Sequence, residues 1–216
     1  AINRALRVGR VDLLVSSTDK NLMVPVGGAF VYAPQTAAID LIRGNYPGRA
    51  SMSPILDVFI TLLHMGRRRV AALLREREEC FEYLHTRLAT LAQRFGQRVL
   101  ETPGNPISMA VTLDNPFAEC EGFEYGDKEV TRFGAMLYTR GVSGARCVPF
   151  HNKKSVGKYT FSNYGSHCEN YPHAYFTAAA AIGITREDVD VFVERLEKNW
   201  KQYLKELEKQ KKAGKK

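Results

Sequence analysis

The chain is 216 residues long, 44% hydrophobic and 25% charged, which places it among ordinary globular proteins with room for one or two buried cores. No apolar run reaches the length of a membrane helix, and Ala1-Ile2-Asn3-Arg4 lacks the charged, apolar and small-residue order of a secretory signal, so a soluble cytoplasmic protein is expected. The formal charge of +8, half of it from the six lysines and two glutamates of Lys205 to Lys216, favours polyanionic partners such as nucleic acid.

The chain begins without an initiator Met and moves at once into the strand-like Val11-Asp12-Leu13-Leu14-Val15, so it is expected to start partway through a domain. Val11 to Ser16 and Met23 to Tyr32 predict two buried strands around a polar loop, the second carrying Gly27-Gly28. Helical spacing follows from Gln35 to Arg43, ended by Gly44-Asn45-Tyr46-Pro47-Gly48. Ser53-Pro54 is suited to a helix start and Gly66 to its end. From Arg67 to Phe95 apolar residues recur every three or four positions until Gly96, predicting a long amphipathic helix that joins two domains.

Beyond that helix the pattern turns to short strands at Val99 to Glu101 and Ile107 to Leu113, and a surface loop over Asn115 to Gly126. Lys128 to Arg140 reads as a helix ended by Gly141. Val142 to Val148 and Tyr159 to Ser162 read as extended, and the small-residue run Pro172 to Ile182 as a helix. Thr185 and Asp188 resemble a capping box before a last helix with apolar stripe Val189, Phe192, Leu196, Trp200, Tyr203 and Leu207. The expected organisation is a domain portion over 1–66, a connecting helix over 67–96, a small domain over 97–208 and a solvated, frayed basic tail over 209–216.

Chemistry concentrates in three places. Ser16-Ser17-Thr18-Asp19-Lys20-Asn21 puts a lysine among hydroxyls at a strand end, where open α/β sheets hold ligands; it reads as a turn lysine or as an amine that condenses with an aldehyde cofactor. Ser17-x-x-Lys20 also has the spacing of penicillin-recognising enzymes, but the partner motifs Ser-Asp-Asn and Lys-Thr-Gly are missing. Arg49, in Tyr46-Pro47-Gly48-Arg49-Ala50-Ser51, reads as a solvated loop residue or a phosphate fork. Arg140-Gly141-Val142-Ser143-Gly144-Ala145-Arg146 reads as a charged helix end or as a contact to phosphates and a base edge. Cys80, Cys120, Cys147 and Cys168 form no Cys-x-x-Cys pair and the five histidines no metal-ligand spacing, so reduced thiols and no metal are expected.

Six blocks in order give the chain a family resemblance: Ser17-Thr18-Asp19-Lys20-Asn21, Met23 to Ala29, Tyr46 to Ser51, Thr102-Pro103 with Asn105 to Ser108, Thr139-Arg140 with Val142 to Arg146, and Asn170-Tyr171-Pro172 with Ala181-Ile182-Gly183. Together they resemble the synthases that make selenocysteinyl-tRNA from O-phosphoseryl-tRNA(Sec), from about Arg7 to Lys205. The resemblance implies the C-terminal portion of a fold-type-I pyridoxal-phosphate enzyme of α/β class: part of a large cofactor domain, a long helix and a smaller α+β domain, in a dimer that pairs into a tetramer. It implies that Lys20 is the Schiff-base lysine for pyridoxal 5'-phosphate and that Arg49 holds the substrate phosphate. Arg7, Arg140 and Lys205 would touch tRNA, with Arg140 the base reader. The implied reaction moves the cofactor from Lys20 to the tRNA-linked phosphoserine, eliminates phosphate and adds selenium from selenophosphate.

Asn115 to Gly126 and Arg67-Arg68-Arg69 depart from that pattern, and the family's first half, which should supply most cofactor contacts, is not in this sequence. The chain alone is therefore expected to be inactive. Two other readings stand beside this one: a different fold-type-I enzyme, such as an aminotransferase or lyase, which needs Lys20 but not the tRNA-facing arginines, and a non-catalytic tRNA-binding module.

Overall fold

The computed structural model describes residues 2–20, 22–46, 48, 51–120, 123–150, 153–163, 168 and 170–213. It is a mixed helix-and-sheet chain in two compact units, Ala1–Leu73 and Leu74–Lys216. The division falls inside a helix, where the sequence had suggested boundaries at its two ends. Leu84, Leu88, Leu91 and Ala92 of that helix are buried in the core of the second unit, so this stretch is a wall of one unit and not a free-standing strut.

The first unit contains α1 (Ile2–Val8), β1 (Leu14–Ser17), β2 (Ala29–Tyr32), α2 (Thr36–Asn45) and the start of α3 (Ser53–Arg94). β1 and β2 pair antiparallel, from Leu14 opposite Tyr32 to Ser17 opposite Ala29. These strands were expected to be buried, but Val15 is 70% exposed and every residue of β2 is exposed. A two-stranded ladder covers neither of its own faces, and no other described strand pairs with it. At Gly66 φ is 62° and ψ 172°, so the backbone leaves the helical region at the predicted stop and resumes α-helix directly afterwards.

The second unit adds β3 (Ser108–Thr112), α4 (Asp127–Thr139), β4 (Arg146–Val148), β5 (Lys154–Val156), β6 (Tyr159–Phe161), β7 (Tyr175–Ala179) and α5 (Arg186–Ala213). β7 is the middle strand of an antiparallel sheet ordered β3-β7-β4, with Phe176 opposite both Val111 and Cys147. This corrects the helix expected over Pro172 to Ile182. The alanines favour helix locally, but pairing on both edges and burial of Phe176 and Ala178 decide for strand. Val99 to Glu101 contributes only an isolated bridge, Val99 to Val111.

Thr185 and Asp188 cap α5 as expected: the Asp188 N–H donates to Thr185 Oγ1 at 3.1 Å, and Asp188 Oδ2 accepts from the Thr185 N–H and hydroxyl at 3.0 and 2.8 Å. The helix then runs further than expected. Lys209 to Ala213 are helical, not frayed, because Leu207 is buried and Lys211 Nζ lies 2.7 Å from Cys120 Sγ and 4.7 Å from the centre of the Phe117 ring. Residues 214–216, with Lys215 and Lys216, lie outside the described residues. No described helix is long and apolar enough to cross a membrane.

An aromatic cluster closes the second unit's core. Phe133 of α4 meets Phe176 of β7 at 5.7 Å and Trp200 and Tyr203 of α5 at 5.4 and 5.1 Å, and Phe95 stacks on Trp200 at 5.0 Å. Tyr203 donates to the Tyr125 hydroxyl, which donates to the Leu113 carbonyl, and burial pushes the Tyr125 phenol up to about 12.

Two elements far apart in sequence are joined at Glu197, which accepts from Lys201 Nζ and an Arg94 Nη, both at 2.7 Å. The bonds from Lys201 and then Arg94 hold its carboxyl down at about 2, from an ordinary 4.5. A depressed folded pKa adds stability above the unfolded value and loses it as pH falls through the folded one. Urea denaturation of wild type and Glu197→Gln should therefore differ most above about pH 4.5 and converge toward pH 2. A pH-independent difference would contradict this assignment.

Candidate functional site

In the first unit Lys20 lies in the turn that leaves β1. That turn is held by Thr18, 3% exposed, whose N–H and hydroxyl both donate to the Gly28 carbonyl at 3.0 Å. The Leu22 N–H donates to the Thr18 carbonyl at 3.1 Å, closing the turn around Asp19 and Lys20. Met23 sits at φ 53°, a left-handed conformation unusual for a residue with a long side chain, and Gly27 at φ 141°. Gly28 is required for another reason. A Cβ on it would lie 2.6 Å from Pro54 Cβ and 2.9 Å from Thr18 Oγ1, so only a bare Cα lets the first turn of α3 approach β2.

The Lys20 side chain is 76% exposed and its Nζ lies 3.6 Å from Asp19 Oδ2, outside hydrogen-bond range. The loop is thus a clamped base with an outward amine. Arg7 is in the last turn of α1, where its Nε donates to the Asn3 carbonyl at 3.2 Å and its charge suits the helix end. Arg49 lies outside the described residues.

In the second unit Arg140 ends α4 in a glycine turn. Gly141 has φ 72°, its N–H donates to Tyr138 O, and the Val142 N–H donates to Leu137 O. Helix α5 then orients the turn from the side. One Arg140 Nη donates to Met136 O at 3.1 Å and the other to Gln202 Oε1. An Arg195 Nη donates to Gly141 O at 3.1 Å, and Gln202 Nε2 donates to Glu206 Oε1 at 2.9 Å. Glu206 also accepts from Arg132 at 2.5 Å. Beside this turn opens a cleft of about 530 Å³, walled by the small residues of 141–145 and floored by Val189 and Phe192. Lys205 is exposed on α5, one turn beyond Gln202, so the fold brings Arg140 and Lys205 to one surface.

Arg195 and Gln202 had not been singled out. They belong to a polar row, Arg195, Asn199, Gln202 and Glu206, at spacings of four, three and four along α5. That row is a visible pattern, but its target 54 to 62 residues upstream is not.

A sequence model of the O-phosphoseryl-tRNA(Sec) selenium transferases, SepSecS, matches residues 1–201. The chain belongs to this family. It is 43% identical over 206 residues to the O-phosphoseryl-tRNA(Sec) selenium transferase of Dictyostelium discoideum, covering 91% of the chain and 43% of that protein. With its counterpart in Methanopyrus kandleri it shares 40% identity over 202 residues, covering 91% and 41%. The crystal structure of an archaeal SepSecS is 29% identical with a TM-score of 0.72, covering 91% of this chain and 40% of that one. The chain thus spans about two fifths of the length of these relatives.

If Gly28 sets the Lys20 turn, Gly28→Ala must push Pro54 or Thr18 aside. Overpacking of this kind costs about 1 to 3 kcal/mol. Faster tryptic cleavage after Lys20 in the variant is the expected result, and an unchanged cleavage rate would show that the clamp does not depend on Gly28.

Proposed function

We propose that this chain carries the lysine-bearing portion of a pyridoxal-phosphate-dependent selenium transferase. The enzyme would convert O-phosphoseryl-tRNA(Sec) to selenocysteinyl-tRNA(Sec) with selenophosphate, in the cytoplasm. The observation that carries the reading is an outward amine, Lys20, on a clamped turn inside a family match that covers residues 1–201.

The residues present fit the cofactor's chemistry at that amine, which is exposed and has no hydrogen-bonded carboxylate. When bound, pyridoxal phosphate supplies an aldehyde that condenses with an amine and a ring that takes up the electron pair left at the substrate's α-carbon. Lys20 Nζ would hold it between turnovers. Once freed by the substrate's own amine, Lys20 would serve as the base that takes the α-proton on Nζ. Arg49 would grip the departing phosphate with its planar fork and offset the charge that grows there. Phosphate would leave the β-carbon with its bridging oxygen, the selenium of selenophosphate would bond to that carbon, water would cleave the P–Se bond to release a second phosphate, and Lys20 Nζ would return a proton to the α-carbon.

Arg140 would read a base edge, since the bonds to Met136 O and Gln202 fix the direction of its fork, while Arg7 and Lys205 would meet tRNA phosphates. The reading includes the fold-type-I architecture and assembly into dimers that pair as a tetramer. It is supported by an apolar strip on α3, Ile55, Leu56, Phe59, Ile60 and Leu63, each between 49% and 68% exposed.

Borohydride reduction of the intact protein loaded with pyridoxal phosphate, followed by peptide mapping, tests the reading. A phosphopyridoxyl group on Lys20 is expected. A stable label on a different lysine, or none on a protein that has bound the cofactor, would overturn it.

A further inference from the structure

The five lysines Lys198, Lys201, Lys205, Lys209 and Lys212 recur at spacings of three and four along α5 and are all exposed. At 3.6 residues per turn they share one stripe, and the last three fall within an arc of roughly 60° over about 10 Å of helix. The first two are answered locally: Lys198 pairs with Glu194 and Lys201 with Glu197, each four residues back. Among the described residues, no ion pair joins Lys205, Lys209 or Lys212 to a carboxylate. Lys209 lowers the Glu206 carboxyl at a distance, behind the hydrogen bond from Gln202 and the contact with Arg132, but does not bond it.

These three ammonium groups stand on a helix with no freedom to fold back on itself. The opposite face of α5 is buried through Val189, Val193, Leu196, Trp200, Tyr203 and Leu207, and Lys211 ties the last turn to Phe117 and Cys120. With its apolar face spent in the core, α5 has nothing left to insert into a lipid surface, which separates it from a membrane-binding amphipathic helix. A fixed row of cations about 5 Å apart matches a polyanion with regularly spaced charges, and a nucleic acid strand presents one phosphate per about 3.4 Å of duplex axis. The row begins one turn past Gln202, the residue that orients Arg140, so base reader and cations occupy one face.

We propose that Lys205, Lys209 and Lys212 form a phosphate rail that holds the backbone of the RNA whose base Arg140 reads, with Lys209 and Lys212 the contacts that nothing else assigns. This rests on the tRNA reading above and extends it along the helix. The rail sets affinity and register, while the base preference stays with Arg140.

The test is the salt dependence of phosphoseryl-tRNA(Sec) binding by the intact protein, with single-base variants of that tRNA for comparison. In Lys209→Gln/Lys212→Gln the slope of log affinity against log salt should fall by about 1.4 to 1.8. Between 50 and 200 mM salt the variant should then lose roughly 7- to 12-fold less affinity than wild type. Preference for the native base should persist, and Lys198→Gln should leave the slope unchanged. An unchanged slope in the double variant, or an equal loss in Lys198→Gln, overturns the rail while leaving the tRNA reading intact. Failure of the wild-type protein to prefer this tRNA over an unrelated RNA hairpin overturns both.

Discussion

One carbonyl organises the candidate catalytic loop. Gly28 O accepts both the N–H and the hydroxyl of Thr18, so the turn between β1 and the extended run before β2 is pinned at its base. Thr18 turns inward and Asp19 stays half-buried, while Lys20 is carried to the outside of the turn. The clamp in turn depends on Gly28 lacking a Cβ against Pro54. Reactive lysines need this combination of a mobile end and an immobile root, since a bound aldehyde must be presented in one orientation while the amine is repeatedly released and recaptured.

The second unit solves a different problem with the same economy of parts. Its aromatic cluster fixes α5 against α4 and the sheet, and the polar row of α5 then sets the direction of the Arg140 turn. Packing and the proposed RNA contacts therefore run along one helix: the apolar stripe decides where α5 lies, and its polar flank holds the Arg140 turn. A change in the core at Trp200 or Tyr203 would reach the surface by displacing that flank.

Much of this was legible in the residues because local chemistry decided it. The Thr185 and Asp188 cap, the turns at Gly66 and Gly141 and the stripe of α5 each rest on a few neighbouring residues. The Lys20 turn was legible as a position, a lysine at a strand end, but the two hydrogen bonds from Thr18 to the Gly28 carbonyl were not, since they span ten residues. β7 was misread because its alanines carry a helical preference that only pairing with β3 and β4 overrides. Burial of β1 and β2 was inferred from apolar content, which reports what a strand can bury and not what is there to cover it. The lysines after Lys205 looked like a frayed tail because Phe117 and Cys120, which hold the helix end, are some ninety residues away.

The central claim is that Lys20 is the amine on which selenium transfer turns. It is tested most directly by incubating the intact protein with pyridoxal phosphate, phosphoseryl-tRNA(Sec) and selenophosphate, and weighing the aminoacyl group by mass spectrometry for wild type and Lys20→Arg. The account predicts selenocysteinyl-tRNA from the wild type and unchanged phosphoseryl-tRNA from the variant. Equal conversion by both, or a wild type that binds cofactor and tRNA yet forms no selenium product, would contradict it.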